Sequence, residues 1–426
     1  MTIVILLLLL LLALFGAPLF AVIAGSAMWS FYQEDIDLSV MGIEIFRIAE
    51  MPILVAIPLF TFAGYLLSES GAPGRLVRMT RGMLGWMPGG LAIVALGACA
   101  FFTAFTGASG VTIIALGALL YPALNQAGYP EKFNLGLITT SGSLGLLFAP
   151  SLPLILYGIV AQQVNVGESV SIDDLFLAGI FPGLLMLFML SAYALWVNRA
   201  NDMPLERFEW SKMKAALNES KWELPLPFIV LGGIYSGYFA VSEAAAVTAV
   251  YVILVEVFIL REISLADLPR IMRESMVLVG GVLVILGVSL ASTNYMIDAG
   301  VPQQLFNTIS GWVESPLAFL LLLNVFLLLL GAMLDIFSAI VLIVPLILPI
   351  AVQYGIHPVH LGIIFLANMQ LGYSTPPVGL NLFIASFRFD KPVTLLYKAT
   401  LPFLAILLIS VLVITYVPSL SMTLVE

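Results

Sequence analysis

The stretch Phe101-Phe-Thr-Ala-Phe-Thr-Gly-Ala-Ser-Gly110 places small, helix-breaking residues in the middle of a long apolar run. Backbone groups freed at such a break cannot face lipid, so the stretch must be buried in protein or line a cavity. The stretch Gly142-Ser-Leu-Gly-Leu-Leu-Phe-Ala-Pro-Ser-Leu-Pro153 interrupts a second apolar segment in the same way. The second half of the chain has a similar pair, Gly331-Ala-Met-Leu-Asp-Ile-Phe-Ser338 and Gly372-Tyr-Ser-Thr-Pro-Pro-Val-Gly379. We therefore expect a binding site near mid-membrane depth.

The composition is that of a membrane protein, because 61% of the 426 residues are hydrophobic and 10% are charged. Soluble domains carry roughly 45–50% apolar and about 25% charged residues. Apolar stretches of about 20 residues predict about ten crossings and two hairpins, with the first crossing over 3–31. The net charge of −9 comes mainly from loop carboxylates and gives no basic surface for nucleic acid. The single cysteine, Cys99, excludes an internal disulfide.

Lysine and arginine residues cluster in alternate connections between the apolar segments, and the positive-inside rule makes those connections cytoplasmic. The opposite connections carry acidic residues without lysine or arginine. We therefore expect 201–222 and 388–391 to face the cytoplasm and 168–174 to face the periplasm. The basic connections lie at 75–81, 199–221, 261–273 and 388–398, and the acidic ones at 34–37, 168–174 and 298–314.

Short sequence matches recur in the same order in the two halves, at separations of 226 to 229 positions. Ser70-Gly-Ala-Pro-Gly-Arg-Leu76 resembles Ala299-Gly-Val-Pro-Gln-Gln-Leu305, and Gly85-Trp86 resembles Gly311-Trp312. The first copy lies beside three arginines and the second has none nearby, so the two copies should be inverted across the membrane. Inverted repeats with discontinuous helices that meet near the midplane are the architecture of secondary transporters.

The predicted fold is an all-α polytopic membrane protein with inverted repeats, two re-entrant hairpins and two broken helices. Its predicted parts are an N-terminal transmembrane helix with an outer loop (1–42), a first repeat (43–164) with hairpin 88–124 and broken helix 133–164, connecting scaffold helices (165–274), a second repeat (275–388) with hairpin 316–352 and broken helix 361–388, and a C-terminal transmembrane helix (389–426).

The broken segments predict two kinds of ligand. Free carbonyl oxygens and Thr or Ser hydroxyls suit a hard monovalent cation such as sodium, whereas half-helix N-termini suit an anion. The sequence has no cluster of intramembrane lysine or arginine for a carboxylate, so the N-termini after Gly110, Pro153 and Gly379 are the candidates. This combination predicts sodium-coupled uptake of an anion. The alternative is that these glycines and prolines only let helices pack and kink.

Two ionisable residues have two interpretations each. Asp335 beside the second tip either faces the cation or substrate site or caps a helix, because an intramembrane carboxylate is costly unless it meets a polar environment. Arg47 either pairs with Glu44 or Glu50, or contacts a partner or the substrate.

Several strings of the sequence together match one known family. They are Ala56-Ile-Pro-Leu-Phe60, Gly89-Gly-Leu-Ala92, Leu175-Phe-Leu-Ala-Gly-Ile-Phe-Pro-Gly183, Ser242-Glu-Ala-Ala245, Leu348-Pro-Ile-Ala351 and Thr375-Pro-Pro-Val-Gly-Leu-Asn-Leu382. Over nearly its whole length the chain resembles the large membrane subunit of TRAP transporters, the tripartite ATP-independent periplasmic transporters of bacteria and archaea. The resemblance implies a non-enzymatic, elevator-type sodium symporter in the cytoplasmic (inner) membrane. It also implies three ligands or partners: a small organic anion (carboxylate or sulfonate), a periplasmic substrate-binding protein and a small four-helix membrane subunit.

Carried over by position, the resemblance implies two or more coupling sodium ions, no other cofactor, and ligands that are mostly main-chain oxygens. The first sodium site would use Thr103, Thr106, Gly145, Phe148 and Pro150, and the second Gly331, Gly372, Thr375 and Val378. The substrate would lie near Ala108, Ser109, Thr112, Ser151 and Pro153, with Asp335 and Asn381 as further candidates. The chain departs from the family where relatives often read Ser-Gly-Ser and Pro-Pro-Ser, since it has Gly107-Ala-Ser-Gly110 and Ala149-Pro-Ser151.

Two alternatives remain beside this interpretation. Gly107-Ala-Ser-Gly110 matches the Gly-Xaa-Ser-Gly of rhomboid intramembrane proteases, but such an enzyme needs a histidine base near the serine, and His357 and His360 both belong to one polar outer connection. The other alternative is a stand-alone carboxylate or oxyanion carrier of the same elevator superfamily. A small four-helix subunit and a secreted binding protein encoded beside the chain would exclude it.

Overall fold

The structure, a computed structural model, describes residues 8–9, 11–12, 15–87, 89–199 and 209–425, except for the side chain of Lys212. Over these residues the chain is helical and contains no β-strand, which confirms the predicted all-α class. Three predicted features fall partly outside the described residues: the start of the first crossing, Pro88 at the start of the first hairpin, and 201–208 in the predicted cytoplasmic connection.

Seven helices in the described part of the chain are long and apolar enough to span a membrane. The count is eight if the bent pair Glu131–Leu147 and Leu152–Val164, which meet at 43°, forms one span. This count leaves out shorter apolar helices such as Gly90–Thr106 and Pro358–Gly372, into which the hairpins and breaks divide the sequence, so the ten crossings expected stay a prediction.

The N-terminal region departs from the predicted single crossing over 3–31. Gly16 has a φ of +87°, and Pro18 directly precedes the first described helix, α1 (Leu19–Gln33). Proline fixes φ and has no N–H to donate, so a helix readily begins after it. A second helix, α2 (Ser39–Ala49), begins inside the predicted outer loop, and both helices pack against the long helix Leu268–Asp298.

The first repeat contains two scaffold-side helices, a hairpin and a broken helix. In chain order they are α3 (Ala56–Glu69), α4 (Ala72–Leu84), hairpin helices α5 (Gly90–Thr106) and α6 (Ser109–Gln126), then α7 (Glu131–Ser141), a 3₁₀ turn (Leu144–Leu147) and α8 (Leu152–Val164).

Five helices connect the repeats, and the last of them is extended by a π-helical segment. They are α9 (Ile172–Ala178), α10 (Ile180–Asn198), α11 (Trp210–Glu219), α12 (Pro225–Tyr235) and α13 (Val241–Ile253), which continues into the π-helix Leu254–Ile259.

The second repeat has the same order of elements. They are α14 (Leu268–Asp298), α15 (Val301–Ser310), hairpin helices α16 (Pro316–Gly331) and α17 (Ile336–Gln353), and the broken helix α18 (Pro358–Gly372) with α19 (Leu380–Phe389). Helices α20 (Val393–Tyr416) and α21 (Ser419–Met422) follow.

Polar contacts at the two ends of the broken helices show that the repeats run in opposite directions. Lys391, just after α19, pairs with Glu131 at the start of α7. At the other end, His357 Nε2 at the start of α18 lies 2.9 Å from Glu168 Oε2, just after α8. Helices α7 and α18 therefore begin at opposite ends of the molecule, as an inverted repeat requires.

In the basic connection at 75–81, Arg75 of α4 is buried among three glutamates. Its Nε lies 2.6 Å from Glu223 Oε1, a second nitrogen lies 3.2 Å from Glu256 Oε1, and the third bonds Glu262. Burial alone would lower the pKa of Arg75, but the hydrogen bonds to Glu262 and Glu223 and the charge of Glu256 outweigh it and raise the pKa. These contacts fasten α4 to the π-helix and to the connection between α11 and α12.

Candidate functional site

The first hairpin tip turns at Gly107. Its φ of +64° is a left-handed conformation that glycine adopts without strain, and a Cβ there would lie 2.6 Å from Leu152 Cδ1 at the start of α8. A Cβ on Gly110 would lie 2.7 Å from Ile384 Cδ1 in α19. The tip thus lies between the N-terminal ends of α6 and α8, and it also contacts the middle of α19.

The predicted first sodium set has its closest contact between hairpin and broken helix. A Cβ on Gly145 would lie 2.3 Å from Ala100 O and 2.4 Å from Ala104 N, so the backbones of α5 and the 3₁₀ turn touch. Buried Thr103 lies beside this contact, where its Oγ1 donates to Gly142 O at 2.8 Å and lies 2.7 Å from Thr112 Oγ1.

The other members of the first set lie on the tip and on the same turn. Thr106 is buried, and its Oγ1 lies 3.4 Å from Ala108 O. Phe148 N donates to Gly145 O at 3.0 Å, and buried Pro150 follows a cis peptide bond from Ala149. Gly145 and Phe148 are therefore joined directly, and Gly145 contacts the hairpin.

The second set repeats this packing. A Cβ on Gly372 would lie 2.6 Å from Gly331 Cα, and Gly379 N donates to Ala332 O at 3.0 Å. Half-buried Thr375 bonds Leu371 O through its Oγ1 at 2.9 Å. Val378 is 43% exposed, and since a valine side chain has no ligand atom, only its main-chain oxygen could hold an ion.

The two close approaches occupy equivalent positions in the repeats. Gly145 and Gly372 are 227 positions apart, and so are their respective neighbours Ala104 and Gly331. The same backbone-to-backbone contact is therefore made once in each repeat, between the second half of a hairpin helix and the break of the following helix.

The predicted substrate residues gather around the first tip. Ser109 and Thr112 are buried on α6, half-buried Ala108 precedes them, and Ser151 and Pro153 lie at the start of α8. Asn381 near the start of α19 donates from Nδ2 to Thr139 O at 3.3 Å. Within the described ranges, neither Ser151 Oγ nor Asn381 Oδ1 has a hydrogen-bond partner, although both are buried. Such groups normally bond protein, water or a ligand.

Asp335 acts as a helix cap in the structure. Its Oδ1 accepts from Ser338 N at 3.0 Å and its Oδ2 accepts from Ser338 Oγ, at the start of α17. Its role toward a cation or substrate stays a prediction. Arg47 pairs with Glu44 at 3.2 Å, one of the pairings expected, and lines an outer cavity of about 780 Å³.

The structure corrects the interpretation of one histidine. His360 lies inside α18 and is buried, where its ring nitrogens are 3.2 Å from Ser421 Oγ and 3.3 Å from Thr415 O. The sequence interpretation put His360 in a polar connection because it started the broken helix at 361. In the structure α18 starts at Pro358 and so includes His360.

Oxygen ligands at the breaks would be neutral. No group of three or more His, Cys, Asp or Glu that could hold a metal lies together among the described residues. Hydroxyl and main-chain carbonyl oxygens remain, and this donor set fits a weakly bound monovalent cation better than a transition metal.

Two buried residues near the second break were not expected from the sequence. Gln370 and Ser374 are both 1% exposed, and their side chains find no hydrogen-bond partner in the part of the chain that the structure describes. The available signal was a lone glutamine in the apolar run that ends at Gly372, but a single polar residue has no pattern that separates it from a packing residue.

Comparison with known proteins gives consistent matches. Residues 3–420 match the family model described as "Tripartite ATP-independent periplasmic transporter, DctM component". The C4-dicarboxylate TRAP transporter large permease protein DctM of Rhodobacter capsulatus is 34% identical over 404 residues, which cover 92% of this chain and 91% of that protein. The isethionate TRAP transporter permease protein DctMQ of Oleidesulfovibrio alaskensis is 36% identical over 376 residues, 87% of this chain and 57% of that protein.

A solved structure shares the fold. The crystal structure of the YdaH transporter of Alcanivorax borkumensis superposes with a TM-score of 0.64 over 88% of this chain and 87% of that one. The two sequences are 15% identical, so this likeness concerns the fold alone.

Proposed function

The chain belongs to the DctM family, the large permeases of tripartite ATP-independent periplasmic transporters, and from this premise we propose that it imports a small organic anion by sodium-coupled secondary transport. Its relatives are transporter permeases and not enzymes, which removes the intramembrane protease from consideration. Membership also makes the chain a multi-pass protein of the inner membrane, in keeping with its apolar helices.

The observation that carries the sodium proposal is the repeated backbone contact at Gly145 and Gly372, each of which has a threonine hydroxyl nearby, that of Thr103 at the first contact and that of Thr375 at the second. Among the residues that the structure describes, the buried hydroxyls of Ser151 and Ser374, one at each break, bond no other group. Bound sodium would supply positive charge beside the anion. The residues that would hold it are Thr103, Thr106, Gly145, Phe148 and Pro150 at the first site and Gly331, Gly372, Thr375 and Val378 at the second.

The substrate class follows from the helix N-termini of α6 and α8, which meet at the first tip, and from that of α19, where Asn381 bonds Thr139 O of the first broken helix. Their partial positive charge stabilises an anion without a buried lysine or arginine. Ala108, Ser109, Thr112, Ser151 and Pro153 would contact the substrate. The names of the two relatives reported above, which refer to C4-dicarboxylates and isethionate, support a carboxylate or sulfonate.

We further propose an elevator movement. Both hairpins and both broken helices would move as one body against α3, α13 and α14, which pack together. The word "tripartite" in the family description supports two partners, a periplasmic binding protein that delivers the anion and a small membrane subunit that extends the scaffold.

Uptake by reconstituted protein tests these points. Proteoliposomes with this chain, the small subunit and the binding protein should accumulate labelled succinate or isethionate only under an inward sodium gradient. Vesicles that contain this chain alone should not. Equal uptake of free substrate by the chain alone would favour the stand-alone carrier, and uptake without sodium would refute the coupling.

A further inference from the structure

Gln370 is a buried amide with unused hydrogen-bonding groups. It lies in α18, 1% exposed, and neither Nε2 nor Oε1 has a hydrogen-bond partner among the described residues. Of the buried side chains described, it is the one with two such atoms. A desolvated polar group without a partner is costly, so a buried amide of this kind points to a polar occupant of the site.

The main chain of Gln370 lies where the two repeats meet. Ser143 Oγ donates to Gln370 O at 3.3 Å, and these residues are 227 positions apart, the separation of the equivalent glycines. In a two-fold arrangement, equivalent residues face each other only at the axis. Gln370 therefore lies between the two predicted sodium sets: it contacts Ser143, two residues before Gly145 of the first set, and it comes two residues before Gly372 of the second.

Neighbouring polar groups share this property. Ser374 lies in the turn directly after α18, four residues after Gln370, and its Oγ likewise bonds no described residue. Asn368, two residues before Gln370, shows what a structural amide looks like in the same helix. Its Nδ2 donates to Asn324 Oδ1 at 2.6 Å and to Ile364 O at 2.9 Å, so only its Oδ1 lacks a partner among the described residues, whereas both polar atoms of Gln370 lack one.

We propose that the Gln370 carboxamide binds the coupling cation and the transported anion together. Its Oε1 would be a sodium ligand, and its Nε2 would donate to a carboxylate or sulfonate oxygen. An amide is the neutral side chain that carries a carbonyl-type acceptor and N–H donors on one rigid group, so an ion at either end orients it for the other. This inference rests on the proposed function and names the residue that couples the two ligands, whose effects on each other's affinity must be reciprocal.

The experiment compares three variants of the purified chain with its membrane partner. Gln370→Met keeps a long unbranched side chain and removes both polar groups, Gln370→Glu keeps oxygen ligands and removes the donor, and Asn368→Leu is the control for loss of a buried amide. Thermal unfolding is recorded in sodium chloride and in choline chloride, with and without succinate or isethionate.

We expect Gln370→Met to unfold in choline at or above the wild-type temperature, because it breaks no hydrogen bond of the protein, and to lose most of the sodium-dependent shift. Gln370→Glu should keep the sodium shift and bind the anion at least 10-fold more weakly. Asn368→Leu should unfold at lower temperature and keep the wild-type sodium and anion shifts.

A wild-type sodium shift that persists in Gln370→Met would overturn the inference and leave the proposed function standing. A wild-type protein without any sodium shift would refute both. Equal anion affinity in wild type and Gln370→Glu would remove the donor role of Nε2.

Discussion

Gly64 of α3 lies directly against the backbone of Thr106 at the first hairpin tip. A Cβ built on Gly64 would be 2.6 Å from Thr106 Cα and 2.6 Å from Phe105 O, closer than real side chains come to backbone atoms. Because α3 also packs against α13 and α14, this contact places the first tip in close packing with that group of three helices.

The first prediction concerns this contact. Gly64→Ala should force the tip away from α3, because backbone atoms cannot give way as a flexible side chain can. We expect reduced uptake and increased labelling of a cysteine introduced at Ser109. Gly97→Ala in α5 is the matched control, since a Cβ there meets no described heavy atom within 4 Å. Wild-type uptake in Gly64→Ala would contradict a movement of the tip past α3.

The second prediction concerns the two sodium sets. Gly145→Ala and Gly372→Ala each place a Cβ within 2.6 Å of hairpin backbone, so each should displace the carbonyl oxygens and abolish sodium-driven uptake. Gly280→Ala in α14 is the control, because no described atom lies within 4 Å of its Cβ. Sodium dependence of uptake is the measurement. Normal coupling in either variant would argue against two equivalent sites.

The third prediction concerns the buried ion pairs of Arg75. Arg75→Met leaves Glu223 and Glu256 buried without their cation, and breaking a buried pair in this way costs about 3–5 kcal/mol. Arg270→Met removes exposed pairs with Glu69 and Glu274 and should have little effect. Thermal or denaturant unfolding in detergent measures the difference, and similar stability of the two variants would show that the buried ion pairs do not stabilise the fold.

The fourth prediction concerns pH. Burial acts to raise the pKa of Glu262, but hydrogen bonds from Arg75 and from Gly71 N–H outweigh it and hold the pKa below its usual value. The stabilisation is therefore complete above about pH 4.3, the ordinary glutamate value, and is lost as pH falls through the lower folded value. Glu262→Gln should be less stable than wild type at pH 6, and the difference should shrink toward pH 3. A constant difference across this range would contradict the assignment.

The fifth prediction concerns charge movement. Two sodium ions with each monovalent anion carry one net positive charge inward, and an inside-negative potential contributes about 2.3 kcal/mol per charge per 100 mV. Isethionate uptake into vesicles should therefore accelerate under an imposed potential, with a sodium Hill coefficient above one. A coefficient near one together with indifference to voltage would refute the two-site scheme.

The sequence supported the helical class, the repeated elements and the pairing of Gly145 and Gly372, because glycine and proline within apolar runs mark breaks directly. It did not reveal Gly64 or Gln370. Gly64 contacts Thr106, which is 42 positions away, and Gln370 accepts a hydrogen bond from Ser143, which is 227 positions away. Contacts over such separations leave no local periodicity. The cluster around Arg75 was hidden for the same reason, since its glutamates come from segments 148 to 187 positions later.

The amphipathic helices α4 and α15, which link each repeat's first helix to its hairpin, are fastened unequally. Arg75 of α4 is fixed by buried ion pairs, whereas its counterpart in α15, Gln304, is exposed. The two repeats are therefore not equivalent here, because the buried ion pairs of Arg75 in α4 have no counterpart at Gln304 in α15. In the elevator movement proposed above, the inward-open and outward-open states would therefore differ in free energy, and the resting protein would favour one side of the membrane before any ligand binds.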